Sequence, residues 1–367
     1  STPLELTLAV QLGIPIYAND PDRRWLGGKI GSRAVFAAAG VQAPRAVAGL
    51  RDVDDIGKGL AELREEDPTL RRAVLKLDEG FSGEGNATFD FEGAPATRLE
   101  AWVLAHLMER LKPIAPGMSA ERFIEKLQSM TGIVEVFIES NVKHSPSVQC
   151  RIDPLGRVEA ISTHEQVLGG STGQVYEGCT FPANADYRRD LQDAGLRVGE
   201  ELAALGALGR FSVDFVSVPT ESGWDHHALE INLRKGGTTL PSLVLQFLTD
   251  GSYDLDTGTY RSALGSELCY YASDNVQSDH YRGLLPEDVI DIIVCDGLHF
   301  DQARQLGTVF HIIGAVSEYG KLGMVSIAST PEGARSLHDR TISSLDRAAV
   351  PLWESPVPAS RTQRRLP

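Results

Sequence analysis

Cysteine is scarce in this chain: four in 367 residues (Cys150, Cys179, Cys269, Cys295), none within a CxxC pair. That argues against a cysteine zinc site or a disulfide framework, and points to reduced, mostly buried thiols in the cytoplasm. No apolar run is long enough to span a bilayer, and no signal-peptide pattern is visible at the start. Positive charge is in deficit, with 35 Lys and Arg against 50 Asp and Glu, for −15 at pH 7. Such a surface repels phosphodiester backbones and anionic lipid, so nucleic acid and membranes are not the expected partners. Small-molecule or peptide substrates are, and homo-oligomerisation stays open. There is no internal repeat, no low-complexity block and no GK[ST] phosphate loop.

What is present alternates between helical and extended patterns, so the fold class reads as α/β (α+β). Leu4 to Asp20 reads as a helix ending near Gly13 and then a short apolar strand, the closing unit of a doubly wound domain spanning 1–45. Because Ser1 rather than Met opens the chain and structure begins at once, we expect an upstream portion. A helix from about Lys29 to Ala39 follows Gly27 and Gly28. Residues 46–132 and 133–272 form two further subdomains. The second is a meander built from IVEVFIES (Ile133 to Ser140), SVQCRID and VEAISTHEQVL, a helix from Arg188, and the hairpin FSVDFVSV–HALEINL. Residues 273–350 read as a small α/β module, with VIDIIVCDGLHF, TVFHIIGAV and MVSIAST as strands or buried segments and helices near Asp301 and Pro331. The stretch 351–367 reads as a mobile tail.

Three constellations carry chemistry. Glu230 and Asn232, two apart, share one strand face, while Leu229, Ile231 and Leu233 take the other. The partner strand presents Asp214, so closure of the hairpin gathers three oxygen ligands. Like charges facing across strands need a cation between them, and oxygen donors without Cys or His select Mg²⁺ or Mn²⁺. A solvated strand face is the bland alternative. Next, Lys76 sits on a strand leading into DEGFSGEG, whose glycines let backbone N–H groups approach phosphate. Lys29, opening its helix, could reach the same phosphates. Finally, Arg234 shares the face of Asn232 and could hold a carboxylate or a transferring phosphoryl group. The Gly-rich loop Leu168 to Cys179 could shape an acceptor pocket. His226 and His227 read as exposed turn residues.

Taken in order, GGKIGSRAVFAAAGV, VLKLDEGFSGEG, VEVFIES, GRFSVDFV and ALEINLRKGG resemble the ATP-grasp superfamily from about Ile14 to Leu248. The resemblance implies two lobes clasping ATP, with Lys29 and Lys76 on its phosphates. The loop of Phe81, Ser82, Gly83, Glu84 and Gly85 would cover them, and Glu135, Val136, Phe137, Ile138 and Glu139 would hold adenine. Asp214, Glu230 and Asn232 would be the magnesium ligands. Lys76 and Arg234 are the implied catalytic residues, and Arg234, Ser171, Thr172, Gly173, Gly236 and Gly237 the substrate residues. The glutamate that many members place after the hinge for ribose is missing; NVKHSPSVQ stands there, leaving Glu139 or Asn141 for the task.

STHEQVLGG, GQVYEGCTFPA, EINLRKGGTTLP and TVFHIIGAVSEYGKLGMVSIA further resemble the peptide ligases of pheganomycin-type antibiotic biosynthesis. That implies an ATP- and Mg²⁺-dependent carboxylate–amine ligase working through an acyl phosphate in peptide natural-product biosynthesis. A small-molecule kinase on the same scaffold is the alternative, or an ATP-binding regulatory module without turnover. For the base that deprotonates the amine, Glu84, Glu165 and His164 are the candidates.

Overall fold

A computed structural model describes residues 2–79, 85–169 and 175–349. The chain divides into two units, Ser1–Glu267 and Leu268–Pro367, which moves the start of the C-terminal module to five residues before the expected boundary.

The first unit opens with α1 (Pro3–Leu12), a 3-10 turn at Pro21–Gly27 and α2 (Lys29–Ala38). No strand follows α1, contrary to expectation. Ile14 and Ile16 lie in coil and are 54% and 40% exposed, and an apolar stretch becomes a strand only where a neighbour offers a ladder. Next come β1 (Ala46–Leu50), α3 (Val53–Glu66), β2 (Arg72–Leu77), β3 (Asn86–Asp90), α4 (Leu99–Arg110), β4 (Leu111–Pro113), α5 (Ala120–Met130) and β5 (Gly132–Val136). The five strands form one antiparallel sheet in the order β1-β5-β2-β3-β4. Helix α3 buries Ile56, Leu60 and Leu63, which recur at helical spacing, in a core shared with Leu75, Phe89, Leu107, Phe123 and Val134. The lobe therefore ends on β5, four residues beyond the expected limit at 132.

The second lobe of this unit follows as β6 (Pro146–Ile152), β7 (Val158–Gly169), β8 (Val175–Phe181), α6 (Arg188–Ala204), β9 (Gly209–Thr220), β10 (Gly223–Asn232), α7 (Thr239–Thr249) and the hairpin of β11 (Ser252–Asp254) with β12 (Thr259–Arg261). Its sheet runs β10-β9-β6-β7-β8: it holds the expected hairpin and the pairing of SVQCRID with VEAISTHEQVL, whereas IVEV, expected to open the meander, is β5 of the first sheet. Helices α2 and α6 cover one face, sealing Phe36, Val148, Leu191, Val198, Phe211, Val213 and Ile231. Each fully buried side chain of this kind contributes ~1.5–3 kcal/mol. Gly195 sets the close approach of α6, since a Cβ there would lie 2.6 Å from Val148. The opposite sheet face, free of these helices, is the one that carries the polar residues below.

The second unit contains β13 (Glu267–Gln277), α8 (Pro286–Cys295), β14 (Gly307–His311), α9 (Val316–Tyr319), β15 (Lys321–Ala328) and α10 (Pro331–Ala349). Strands β13 and β14 flank β15. VIDIIVC, read as a strand or buried segment, is helix α8: Val289 and Ile293, four apart, are buried, while Ile290 and Val294 are about half exposed. A short apolar run has no unambiguous period, and Pro286 at the first turn with Asp288 capping Leu285 N decides for helix. The expected helix at Asp301 is a tight turn in which Asp301 Oδ1 accepts from Ala303 and Arg304 N. No helix among the described residues is long and apolar enough to cross a membrane. Cys150, Cys179 and Cys269 are buried free thiols and Cys295 is an exposed one.

Candidate active site

The β9–β10 hairpin sets Glu230 opposite Asp214 and Asn232 opposite Ser212. Leu229 is extruded as a bulge, so Ala228 and Ile231, three apart, both face the core. Glu230, Asn232, Asp214 and Ser212 take the other face. Asn232 Nδ2 donates to Asp214 Oδ2 at 2.8 Å, and its Oδ1 accepts from Arg234 Nη2 at 3.1 Å. Burial pushes the Asp214 carboxyl up to about 6, opposed by Lys29, the Asn232 amide, Arg234 and Gln166. A carboxylate raised by burial in this way is one that a cation would stabilise.

No cluster of three His, Cys, Asp or Glu side chains able to hold a metal exists among the described residues. Two carboxylates and the Asn232 side chain meet here instead, and the amide, whose Nδ2 faces Asp214, would present its oxygen to an ion by turning over. That set fits Mg²⁺, which takes one or two carboxylates and completes its octahedron with water and phosphate oxygens.

The lysines come to the same place. Lys29 is the first residue of α2, whose N-terminal N–H groups are capped from outside. Ile30 N donates to Asp78 Oδ1 at 2.8 Å and Lys29 N to Asp78 O at 3.3 Å. The Lys29 ammonium, buried, pairs with Glu230. Burial and the neighbouring Lys76 pull Lys29 down to about 8, against the pull of Asp214, Glu135 and Asp78. Lys76 projects from β2 and pairs with Glu135 of β5. Thus Lys29, Lys76, Asp214, Glu230 and Asn232, up to 203 positions apart in sequence (29 to 232), form one electrostatic cluster.

Glu135 takes a different part from the expected adenine contact. Its backbone is laddered on both sides, opposite Ala46 and Val74, and its side chain is 2% exposed between Lys76 and Arg33 Nη2. It anchors Lys76. Strand β5 ends at Val136, earlier than Ser140; Val136 N still donates to Arg45 O and Phe137 N to Arg72 O. The backbone N–H groups left to meet a base therefore begin at Ile138. Arg72 lies over the Phe137 ring at 4.2 Å and grips Glu139 with two hydrogen bonds, of 2.8 and 2.7 Å. Lys143 Nζ donates to Ile138 O at 3.3 Å.

Gly85 accepts from Leu77 N at 2.9 Å and closes the base of the glycine-rich loop. Phe81, Ser82, Gly83, Glu84, Ser171, Thr172 and Gly173 lie outside the described residues. Gly236 N donates to Thr239 Oγ1 at 3.0 Å, and Gly237 abuts the Tyr176 ring, where a Cβ would lie 3.1 Å away.

The candidate bases change standing. His164 is fully buried, and burial pulls its imidazole down to about 3, too low to hold a proton at neutral pH. Glu165 accepts from Tyr187 OH at 2.5 Å and Asn184 N at 3.2 Å. His226 and His227 are not in the turn: the hairpin closes on Glu221 and Ser222, both histidines lie within β10, and both are partly buried. His226 Nδ1 lies 2.7 Å from Ser217 Oγ. Sequence reasoning passed over Asp78, Arg33 and Gln149. Asp78 had a signal, in its place directly after the strand of Lys76 and before the glycines; Arg33 and Gln149 had none.

Residues 118–256 match the family model described as IQCH-like, ATP-grasp, and residues 288–341 match the PGM1 C-terminal domain. The chain is similar to an L-propargylglycine–L-glutamate ligase of Streptantibioticus cattleyicolor, 31% identical over 92% of this chain and 65% of that protein. It is also similar to the IQ motif-containing protein H of Danio rerio, at 23% identity over 92% of this chain and 35% of that protein. The chain thus spans 65% and 35% of the lengths of these curated relatives. Among solved structures, biotin carboxylase of Campylobacter jejuni in a nucleotide complex aligns with TM-score 0.61 at 13% identity, covering 92% of this chain and 71% of that one. The biotin carboxylase domain of Hydrogenobacter thermophilus 2-oxoglutarate carboxylase, solved with MgADP, aligns with TM-score 0.57 at 14% identity, covering 93% and 70%.

Proposed function

The chain has the ATP-grasp fold, and from that premise we propose that it is an ATP-dependent carboxylate–amine ligase. It would activate an amino acid carboxylate as the acyl phosphate, join it to an amino acid or peptide amine, and release ADP and phosphate. The observation that carries this reading is the convergence of Lys29 and Lys76 with Asp214, Glu230 and Asn232. A relative named for joining two amino acids supports substrates of that class, and the resemblance to pheganomycin-type ligases favours a natural-product setting.

Hydroxide is a poor leaving group, so a carboxylate does not acylate an amine until its oxygen is phosphorylated. Asp214, Glu230 and the Asn232 amide would hold Mg²⁺, with Mn²⁺ as a substitute. The ion supplies charge neutralisation to the transferring phosphoryl group. With Glu230 engaged in holding the ion, the Lys29 ammonium would be available to a phosphate oxygen. Lys76 is held on its anchor Glu135 and offers a second positive charge at a fixed place. Arg234, exposed at the strand end, steadies the substrate carboxylate and then the oxyanion formed when the amine attacks.

The test is to incubate the protein with ATP, Mg²⁺ and amino acid pairs, and to assay nucleotide products and adduct mass. ADP with a new amide supports the reading. AMP and pyrophosphate contradict the acyl phosphate route, and ADP release indifferent to the amine turns the assignment to a kinase.

A further inference from the structure

Two strand positions before the ligand row, the same sheet face changes character. Ser212 stands opposite Asn232, and Arg210 stands two residues further along β9, opposite Arg151 of β6. Arg151 is engaged, donating to Glu159 Oε2 at 2.7 Å. No carboxylate of a described residue lies within ion-pairing distance of Arg210. Its one hydrogen bond among them runs from Nη1 to Gln149 Oε1 at 3.3 Å. Partial burial pulls the Arg210 guanidinium below its ordinary range, and the like charge of Arg151 adds to that, while Tyr17 and Glu159 oppose it. A guanidinium tucked into a sheet face, beside a second arginine and with no carboxylate of a described residue in ion-pairing distance, is half of an anion site.

Gln149 ties this arginine to the rest of the active site. It is 1% exposed, and its Oε1 also accepts from Thr239 Oγ1 at 2.8 Å. Its Nε2 lies 3.1 to 3.4 Å from Ser162 Oγ, Ser242 Oγ and Thr238 O. Thr239 Oγ1 in turn accepts from Gly236 N. One buried amide therefore holds both Arg210 and the loop that follows Arg234. Gly236 completes the link, because a Cβ there would lie 3.9 Å from Ser212 Oγ and 4.0 Å from Arg234 Nη1. Arg234, two residues past the end of β10, and Arg210, two residues before Ser212 on β9, thus both border Ser212 at the end of the hairpin away from its turn. Arg210 lies four residues from Asp214 along the strand, about 13 Å between Cα atoms.

We propose that Arg210, oriented by Gln149, seats a second carboxylate of the substrates, one that the ligation does not consume. The inference rests on the ligase reading and narrows its substrate class to amino acids that present such a carboxylate, on the side chain or at the α position. Arg234 serves the carboxylate that reacts; Arg210 selects the molecule that carries another.

Binding measures this without turnover. Calorimetry with Mg²⁺ and a non-hydrolysable ATP analogue present would compare L-glutamate with L-glutamine, which lacks the side-chain carboxylate, and with isoglutamine, which lacks the α-carboxylate. Glutamate should bind at least tenfold tighter than one of the two amides, and the amide that loses affinity identifies the carboxylate seated. In R210M that preference should fall below threefold while affinity for the nucleotide analogue stays unchanged. R210K, which keeps the charge without the planar fork, should retain an intermediate preference. Equal affinity of wild type for all three compounds, including no measurable affinity for any, overturns the proposal, as does a preference undiminished in R210M and R210K. The ligase reading fails by a different result: no amide product from any amino acid pair.

Discussion

Glu230 lies directly across the ladder from Asp214, and Asn232 binds the same carboxylate from one position further along. Two acids facing each other across adjacent strands repel, and the Lys29 ammonium offsets that repulsion. On the proposed function, a divalent ion would take over that offset and Lys29 would turn from Glu230 to a phosphate.

Glu230→Gln preserves size and hydrogen bonding but removes the charge on which the ion and Lys29 depend. Turnover should fall at least about a hundredfold, the scale of one lost transition-state electrostatic contact. Steady-state ADP release and circular dichroism together check this: near-wild-type rates in a folded variant would remove Glu230 from the ligand set.

Glu135 is the buried counter-charge of Lys76 and Arg33. Glu135→Gln leaves both cations short of compensation, and breaking a buried ion pair this way costs about 3–5 kcal/mol. Urea unfolding should show a loss of that order, and Mg·ATP should bind more weakly because Lys76 loses its orientation. An unchanged unfolding midpoint would show that Glu135 is not the anchor.

His164 predicts a pH dependence of stability. Its folded value, about 3, lies below the ordinary 6.5, so the unfolded chain binds the proton first. Stability from this group is complete above pH 6.5 and is lost as pH falls toward 3, by about 1.4 kcal/mol per pH unit. His338 in the second unit, pulled by burial to about 4, acts in the same sense. His164→Gln should flatten the stability slope between pH 6 and pH 4 by about one proton's worth; a slope equal to wild type would contradict the buried neutral imidazole.

Gln149→Leu removes the hub that joins β6 to the loop after Arg234. The polar groups it leaves unpaired should cost about 1–3 kcal/mol of stability. Mg·ATP affinity should hold while KM for the carboxylate substrates rises, a split that steady-state kinetics resolves. A parallel loss of nucleotide affinity would mean that the hub supports the whole lobe rather than the substrate side.

The shared face of Asp214, Glu230 and Asn232 was legible because they sit on strands, where a period of two sorts faces even without knowledge of the partner. Lys76 was legible from its place before a glycine-rich run, and Lys29 from its place at a helix start. The bulge at Leu229 was not, since alternation through Leu229, Ile231 and Leu233 reads the same until pairing shows Ala228 on the core face. Glu135 was misassigned for a related reason. An acid within an apolar strand tells nothing of its partners, and Arg33, which shares it, lies 102 positions away. His226 and His227 followed a turn drawn too wide: a two-residue hairpin turn carried both into the strand. In the second unit, VIDIIVC was too short and too uniformly apolar to declare a period, and Pro286 and Asp288 held the only local sign of a helix.

The central claim is that Asp214, Glu230 and Asn232 hold a divalent ion on which the nucleotide's phosphates rest. A crystal structure with Mg²⁺ and a non-hydrolysable ATP analogue tests it most directly. The account predicts an ion about 2.0–2.1 Å from oxygens of Asp214 and Glu230, with Lys29 parted from Glu230 and turned to a phosphate. Nucleotide bound elsewhere, with Lys29 still paired to Glu230 and no ion between the strands, would contradict it.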